Sequence, residues 1–130
     1  MLKGKVKGFF SWGQNPACSG ANAVKTRQAL TKLDWMVNVN IFPSETGWFF
    51  QDQNLCEADT GKKISAADIK TEVFILPAAV SVEKEGSLTN SGRWMQWRYK
   101  ASDPVGEAKP DADIMNLIYQ ELKKLYATDG

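Results

Sequence analysis

The stretch Gly8-Phe9-Phe10-Ser11-Trp12-Gly13-Gln14-Asn15-Pro16-Ala17-Cys18-Ser19-Gly20-Ala21-Asn22 limits the fold more than any other part of the chain. In it an apolar, strand-length run passes straight into a loop of small and amide residues. Gly, Asn, Pro and Ser favour turns for separate reasons: freedom at positive φ, side-chain bonding to nearby backbone, and a fixed φ. A helical pattern follows from Asn22 to about Leu33, with Ala23, Leu30 and Leu33 on one stripe and Lys25, Arg27 and Lys32 left to solvent. Strand, tight polar turn and helix form the unit with which α/β proteins hold nucleotides at the carboxyl ends of their strands.

The rest of the chain extends this pattern. Val6 to Trp12 reads as a first strand. Trp35 to Phe42 alternates, with Val37, Val39 and Ile41 facing one way and Asn38 and Asn40 the other, and Pro43 stops it. Residues 44 to 71 are mostly polar and turn-rich, with 51–71 read as a surface insertion and one helical turn within Ser65 to Ile69. Glu72-Val73-Phe74-Ile75-Leu76-Pro77 has the short apolar form of a strand buried on both faces of a parallel sheet. Arg93 to Lys100 alternates as an extended segment. Ile114, Leu117, Ile118, Leu122 and Leu125 keep helical spacing after Pro110-Asp111, with Lys123 and Lys124 expected in the last turn, where the helix dipole favours cations. At 130 residues the chain suits one domain, residues 1–130. The expected fold is α/β: a three-layer, mostly parallel open sheet of Rossmann-like form with a C-terminal amphipathic helix.

Charge and residue inventory close off several functions. With 16 Lys+Arg against 15 Asp+Glu, the net charge of +1 gives no field for nucleic acid or an anionic membrane, so any anion must be caught locally. No apolar run approaches the roughly 18 residues of a bilayer span, and Met-Leu-Lys-Gly-Lys lacks the apolar heart of a signal peptide, so the chain as given reads as soluble. The complete absence of histidine removes Ser-His-Asp and Cys-His catalysis and the HExxH zinc site. Cys18 and Cys56 lack metal-ligand spacing.

Candidate binding residues fall at the carboxyl edge of such a sheet. The backbone N–H groups of Gly13-Gln14-Asn15-Pro16 and the Asn15 amide suit a phosphate or a base, although ordinary turn chemistry explains the same residues and no Gly-x-Gly-x-x-Gly fingerprint is present. Asn40 ends the second strand at that edge, where it suits a ribose hydroxyl or caps the strand. Lys84, within Glu83-Lys84-Glu85-Gly86, is an oriented donor for a phosphate or carbonyl, or else solvated surface charge. Asp111 reads first as a helix cap worth about 1 kcal/mol, and its carboxylate also matches both donors of a guanine edge. Arg93 to Lys100 interleaves three aromatics with three cations. That pattern suits single-stranded bases or a protein partner, while the near-zero net charge favours aromatics packed against the domain.

The strings GQNPACSGANAVKTRQALTKLDW, NIFPSETGWFF, EVFILPAAVSVEKEGSLTNSGRWMQWRY and GEAKPDADI together resemble the large subunits of molybdopterin oxidoreductases, and within them the respiratory formate dehydrogenase group. The resemblance covers nearly the whole chain in order, and EKEGSLTNSGRWMQWRY carries most of its specificity. It implies a dinucleotide-binding α/β domain cut from a longer catalytic subunit. That subunit would hold bis(molybdopterin guanine dinucleotide) with molybdenum or tungsten, plus an iron-sulfur cluster in a part outside this chain. The Asn of Gly-x-Asn-Pro then falls on Asn15, the strand-end residue on Asn40, the lysine of Glu-Lys-Glu-Gly on Lys84 and the acid after Gly-Glu-Ala-x-Pro on Asp111, as guanine dinucleotide contacts. Asn40 departs from the Asp common there, so an amide contact replaces a carboxylate one. The resemblance further implies formate as the parent's substrate, an iron-sulfur electron-transfer subunit as partner, and a periplasmic, membrane-associated complex. No catalytic residue or metal ligand is recognised in this chain, which is expected to be inactive alone.

Overall fold

In the computed structural model, which describes residues 1–128, the chain divides into two compact units, one of Met1–Leu76 and one from Pro77 onward. The first holds β1 (Gly8–Trp12), α1 (Pro16–Ser19), α2 (Ala23–Leu30), β2 (Trp35–Asn40) and β3 (Glu72–Pro77), whose last residue opens the second unit. The second unit holds β4 (Gly86–Thr89), β5 (Met95–Arg98) and α3 (Asp111–Thr128). The sheet order is β1-β2-β3, in parallel, with β1 and β2 in register from Gly8 opposite Trp35 to Trp12 opposite Val39. The α/β class, parallel sheet and C-terminal helix are those expected from the sequence.

Local chemistry explains the first unit. Pro16 starts α1, where its fixed φ fits and its missing N–H is no loss. Asn22 caps α2 by accepting the Lys25 N–H at 2.9 Å. At the other end the Thr71 hydroxyl lies 2.8 Å and 2.9 Å from the carbonyls of Leu30 and Leu33. These bonds set α2 on the sheet, so that Ala17, Leu30, Leu33, Met36, Phe49 and Leu55 close into one buried cluster. The 51–71 segment, read as surface from its polarity, reaches inward at Leu55. Its own order comes from a bridge between Cys56 and Lys63 and a 3-10 turn at Ala66–Asp68, close to the helical turn expected.

Two strand faces differ from the sequence reading. Asn38, expected on a polar face, is fully buried on the same side of β2 as the core residue Met36, and neither its Nδ2 nor its Oδ1 has a hydrogen-bond partner. Alternation reveals two faces but not which one is covered. Phe74 and Ile75 of β3, expected to be buried on both sides, are each more than a third exposed.

In the second unit β4 and β5 form an antiparallel pair, Gly86 opposite Arg98 through Thr89 opposite Met95, closed by a turn in which Arg93 takes φ +62°. The extended form of residues 93–100 is as expected. The packing of their aromatics is not, since Trp94, Trp97 and Tyr99 are all more than half exposed. α3 runs three residues past Leu125, so Lys123 and Lys124 sit short of its last turn. Of its apolar residues Ile114 is buried, whereas Leu117, Leu122 and Leu125 are exposed.

Candidate functional site

Parallel pairing brings the carboxyl ends of β1 and β2 to one edge, and with them Asn15 and Asn40. Gly13 makes the turn at φ +60°, a backbone state that side chains resist, while its N–H donates to the Val39 carbonyl at 2.9 Å and extends the ladder. Asn15 follows, half-buried. Its Oδ1 accepts the Thr46 N–H at 3.2 Å and the Thr46 hydroxyl at 2.8 Å, and its Nδ2 donates to a carboxylate oxygen of Glu45. The Thr46 hydroxyl in turn accepts the Ala17 N–H at 3.0 Å. Asn40 spends its Oδ1 on the Ile41 N–H, at 2.9 Å, and its Nδ2 lies 3.5 Å from the Ser44 hydroxyl. The loop Pro43–Thr46 therefore touches both candidate residues. Reasoning from residues alone assigned that loop no role. The signal was the polar triplet Ser44-Glu45-Thr46 placed directly after the stop at Pro43.

Glu45 is held below the ordinary glutamate range, first by a backbone hydrogen bond and then by the Asn15 amide, with the Arg27 charge adding to both against partial desolvation. A depressed folded value stabilises the fold above the unfolded value, and that contribution disappears as the pH falls through the folded one. In a carbon-detected NMR titration the Glu45 carboxyl is expected to ionise below an ordinary glutamate, and to move upward in Asn15→Ala. An unchanged midpoint in the variant would mean that the amide does not act on it.

Lys84 and Asp111 lie in the second unit, where they form an ion pair, each side chain about one-third exposed. Asp111 occupies the first turn of α3, where the dipole favours a carboxylate, and is a member of the helix rather than a residue preceding it. Of the charges beside Lys84, Glu83 is buried and accepts the Val80 N–H at 2.9 Å, so the triplet is not simply solvated surface charge. Lys84 also lines a cleft of about 490 Å³ with Glu83, Glu85, Lys100, Lys109 and Asp113. Asp103 engages the cleft residue Lys100 by hydrogen bond and charge, raising the Lys100 pKa and lowering its own. Among the described residues no cluster of three His, Cys, Asp or Glu is placed to hold a metal, and no helix is long and apolar enough to cross a membrane. Cys18 and Cys56 are not bridged to each other.

Residues 62–121, which contain the Lys84–Asp111 pair, match the Molybdopterin oxidoreductase family model. Across 127 residues, 98% of this chain, it is 58% identical to the formate dehydrogenase subunit alpha of Megalodesulfovibrio gigas. The chain belongs to the molybdopterin oxidoreductase family. It is also 39% identical over its whole length to the nitrate-inducible formate dehydrogenase major subunit of Escherichia coli K12, and 42% identical over 132 residues to the formate dehydrogenase 2 subunit alpha (cytochrome c-553) of Nitratidesulfovibrio vulgaris Hildenborough. The chain spans 12% of the length of each of these three relatives, so it corresponds to one segment of them.

Proposed function

We propose that this chain is a guanine dinucleotide-binding segment of a formate dehydrogenase alpha subunit, and that Asn15, Asn40, Lys84 and Asp111 contact the bis(molybdopterin guanine dinucleotide) cofactor. The observation that carries this reading is the Lys84–Asp111 ion pair, which joins two residues 27 positions apart in sequence and places a cation and an acceptor side by side. The donor set fits the group. An ammonium offers three donors for phosphate or carbonyl oxygens, a carboxylate matches the N1–H and N2–H₂ edge of guanine, and the amides of Asn15 and Asn40 add neutral donors. When bound, the cofactor supplies the molybdenum or tungsten centre that takes two electrons from formate. The residues of this chain bind and orient it. Residues 1–130 act on this reading as one binding domain with 51–71 an insertion, and the parent subunit passes electrons to an iron-sulfur partner in a periplasmic, membrane-associated complex. Isolated, the chain is inactive. The exposed aromatics of Arg93–Lys100 serve contact with other protein rather than nucleic acid, in keeping with the chain's net charge.

Substituting Asp111 by Ala in the full-length subunit is expected to lower guanine nucleotide and metal content per subunit about tenfold or more, the factor for losing a charged hydrogen bond. Thermal melting of the same preparation checks that the subunit still folds. A folded variant with full cofactor content would overturn the assignment of Asp111.

A further inference from the structure

We propose that Thr46 is a positioning residue that fixes the Asn15 amide so that it meets its ligand as a donor only, restricting the contact to an acceptor oxygen such as a phosphate or carbonyl. The inference rests on the nucleotide-binding reading of Asn15 above and adds to it a residue, an orientation and a ligand atom type.

The orientation follows from which groups can donate. The Thr46 backbone N–H has no other role than to donate, so the Asn15 atom 3.2 Å from it is the carbonyl oxygen. The Thr46 hydroxyl accepts the Ala17 N–H at 3.0 Å, which turns its own proton toward Asn15 Oδ1 at 2.8 Å. On the other side of the amide, an ionised Glu45 carboxylate only accepts, so it faces Nδ2. Both ends of the amide are thereby assigned, and each assignment requires the other. Oδ1 has its two lone pairs taken by Thr46. Nδ2 has given one hydrogen to Glu45, and its second is the one polar position of the side chain left for a ligand.

Thr46 is 0% exposed, so it touches no ligand itself and acts through Asn15. Burial also makes the arrangement rigid, because a flipped amide would set an N–H₂ against the buried Thr46 N–H and leave that donor unpaired, at about 1–3 kcal/mol. A side chain held in advance in its binding orientation loses less rotamer entropy on binding.

The test is made in the full-length subunit, with acid-released guanine nucleotide per subunit as readout and thermal melting beside it. Thr46→Val, which keeps the shape and removes the hydroxyl, is expected to fall about tenfold, to the level of Asn15→Ala. Thr46→Ser restores the wild-type content, and the double variant falls no further than Asn15→Ala. Asn15→Asp is combined with Glu45→Gln, because Asp alone would set two carboxylates in contact where the Asn15 amide donates to Glu45. In the pair both Thr46 bonds are kept, the Gln amide donates across the former Glu45 contact and the outward donor is gone. The pair is expected to lose cofactor as fully as Asn15→Ala, with Glu45→Gln alone as reference, while melting close to the wild type. It also decides the question if Thr46→Val does not fold. Full nucleotide content in folded Thr46→Val or in the Asn15→Asp/Glu45→Gln pair, with Asn15→Ala depleted, overturns the positioning role and leaves Asn15 in the site. Full content in Asn15→Ala overturns the reading of Asn15 itself, and the role of Thr46 with it.

Discussion

Replacing Phe49 by Ala is expected to destabilise the chain by about 3–5 kcal/mol, the range for deleting a buried aromatic ring. Phe49 is 1% exposed, lies in the cluster with Leu30, Met36 and Leu55, and meets Phe50 edge-on at a centroid distance of 5.9 Å. Its deletion removes the transfer contribution of the ring and leaves a cavity that the surrounding strand and helix are too constrained to fill. A domain of this size has only about 5–15 kcal/mol of stability, so the urea midpoint is expected to fall by a large fraction of its starting value. Phe10→Ala provides the contrast. Its ring sits 44% exposed on the opposite face of the sheet, and a clearly smaller shift is expected. Equal shifts for the two variants would mean that the core does not lie between β2 and the 3-10 turn Phe49–Gln51.

The second large effect is expected at Gly8. Gly8 stands opposite Trp35 in the β1–β2 register, and a Cβ added there would lie 2.1–2.6 Å from three atoms of the Trp35 ring. No real contact is that short, so Gly8→Ala must push the indole away from the strand and from Phe10, against which it packs edge-on at 5.5 Å. Overpacking of this kind costs about 1–3 kcal/mol, and the lost aromatic pair adds about 0.5–1.5 kcal/mol. In a Trp35→Ala background the same Gly8→Ala change is expected to be close to neutral, because the obstacle is gone. Denaturation midpoints of the four variants give the coupling directly, and an equal loss in both backgrounds would place the strain in the backbone rather than against the ring.

Much of this was legible in the residues. The apolar run ending at Gly13, the stripe of α2 and the spacing of α3 are local patterns, and period and punctuation alone predict the elements that form. The four candidate positions rest on marks of the same local kind, since strand ends are marked by Gly13 and Pro43 and the Glu-Lys-Glu-Gly and Lys-Pro-Asp strings stand beside turns. Glu45 and Thr46 were not assigned roles, since their part depends on where the loop after β2 folds back. The Ser-Glu-Thr triplet after Pro43 marks a polar loop at the strand end, but it does not say that the loop meets an Asn about thirty positions earlier.

Sequence by itself determined the α/β class, the succession β1, α2, β2 and β3, the C-terminal helix and the lack of histidine, because each of these depends on residue type and on neighbours within a few positions, whereas α1 and β4 fall in stretches that read as a loop. Tertiary structure alone decided that Asn38 turns inward, that Phe74 and most of the α3 stripe stay exposed, that Lys84 pairs with Asp111, and that Asn15 is locked by Thr46. The physical reason is common to all four. Which face of an element is covered, and which distant donor meets which acceptor, is set by the free energy of packing whole elements together, and no local propensity encodes that choice.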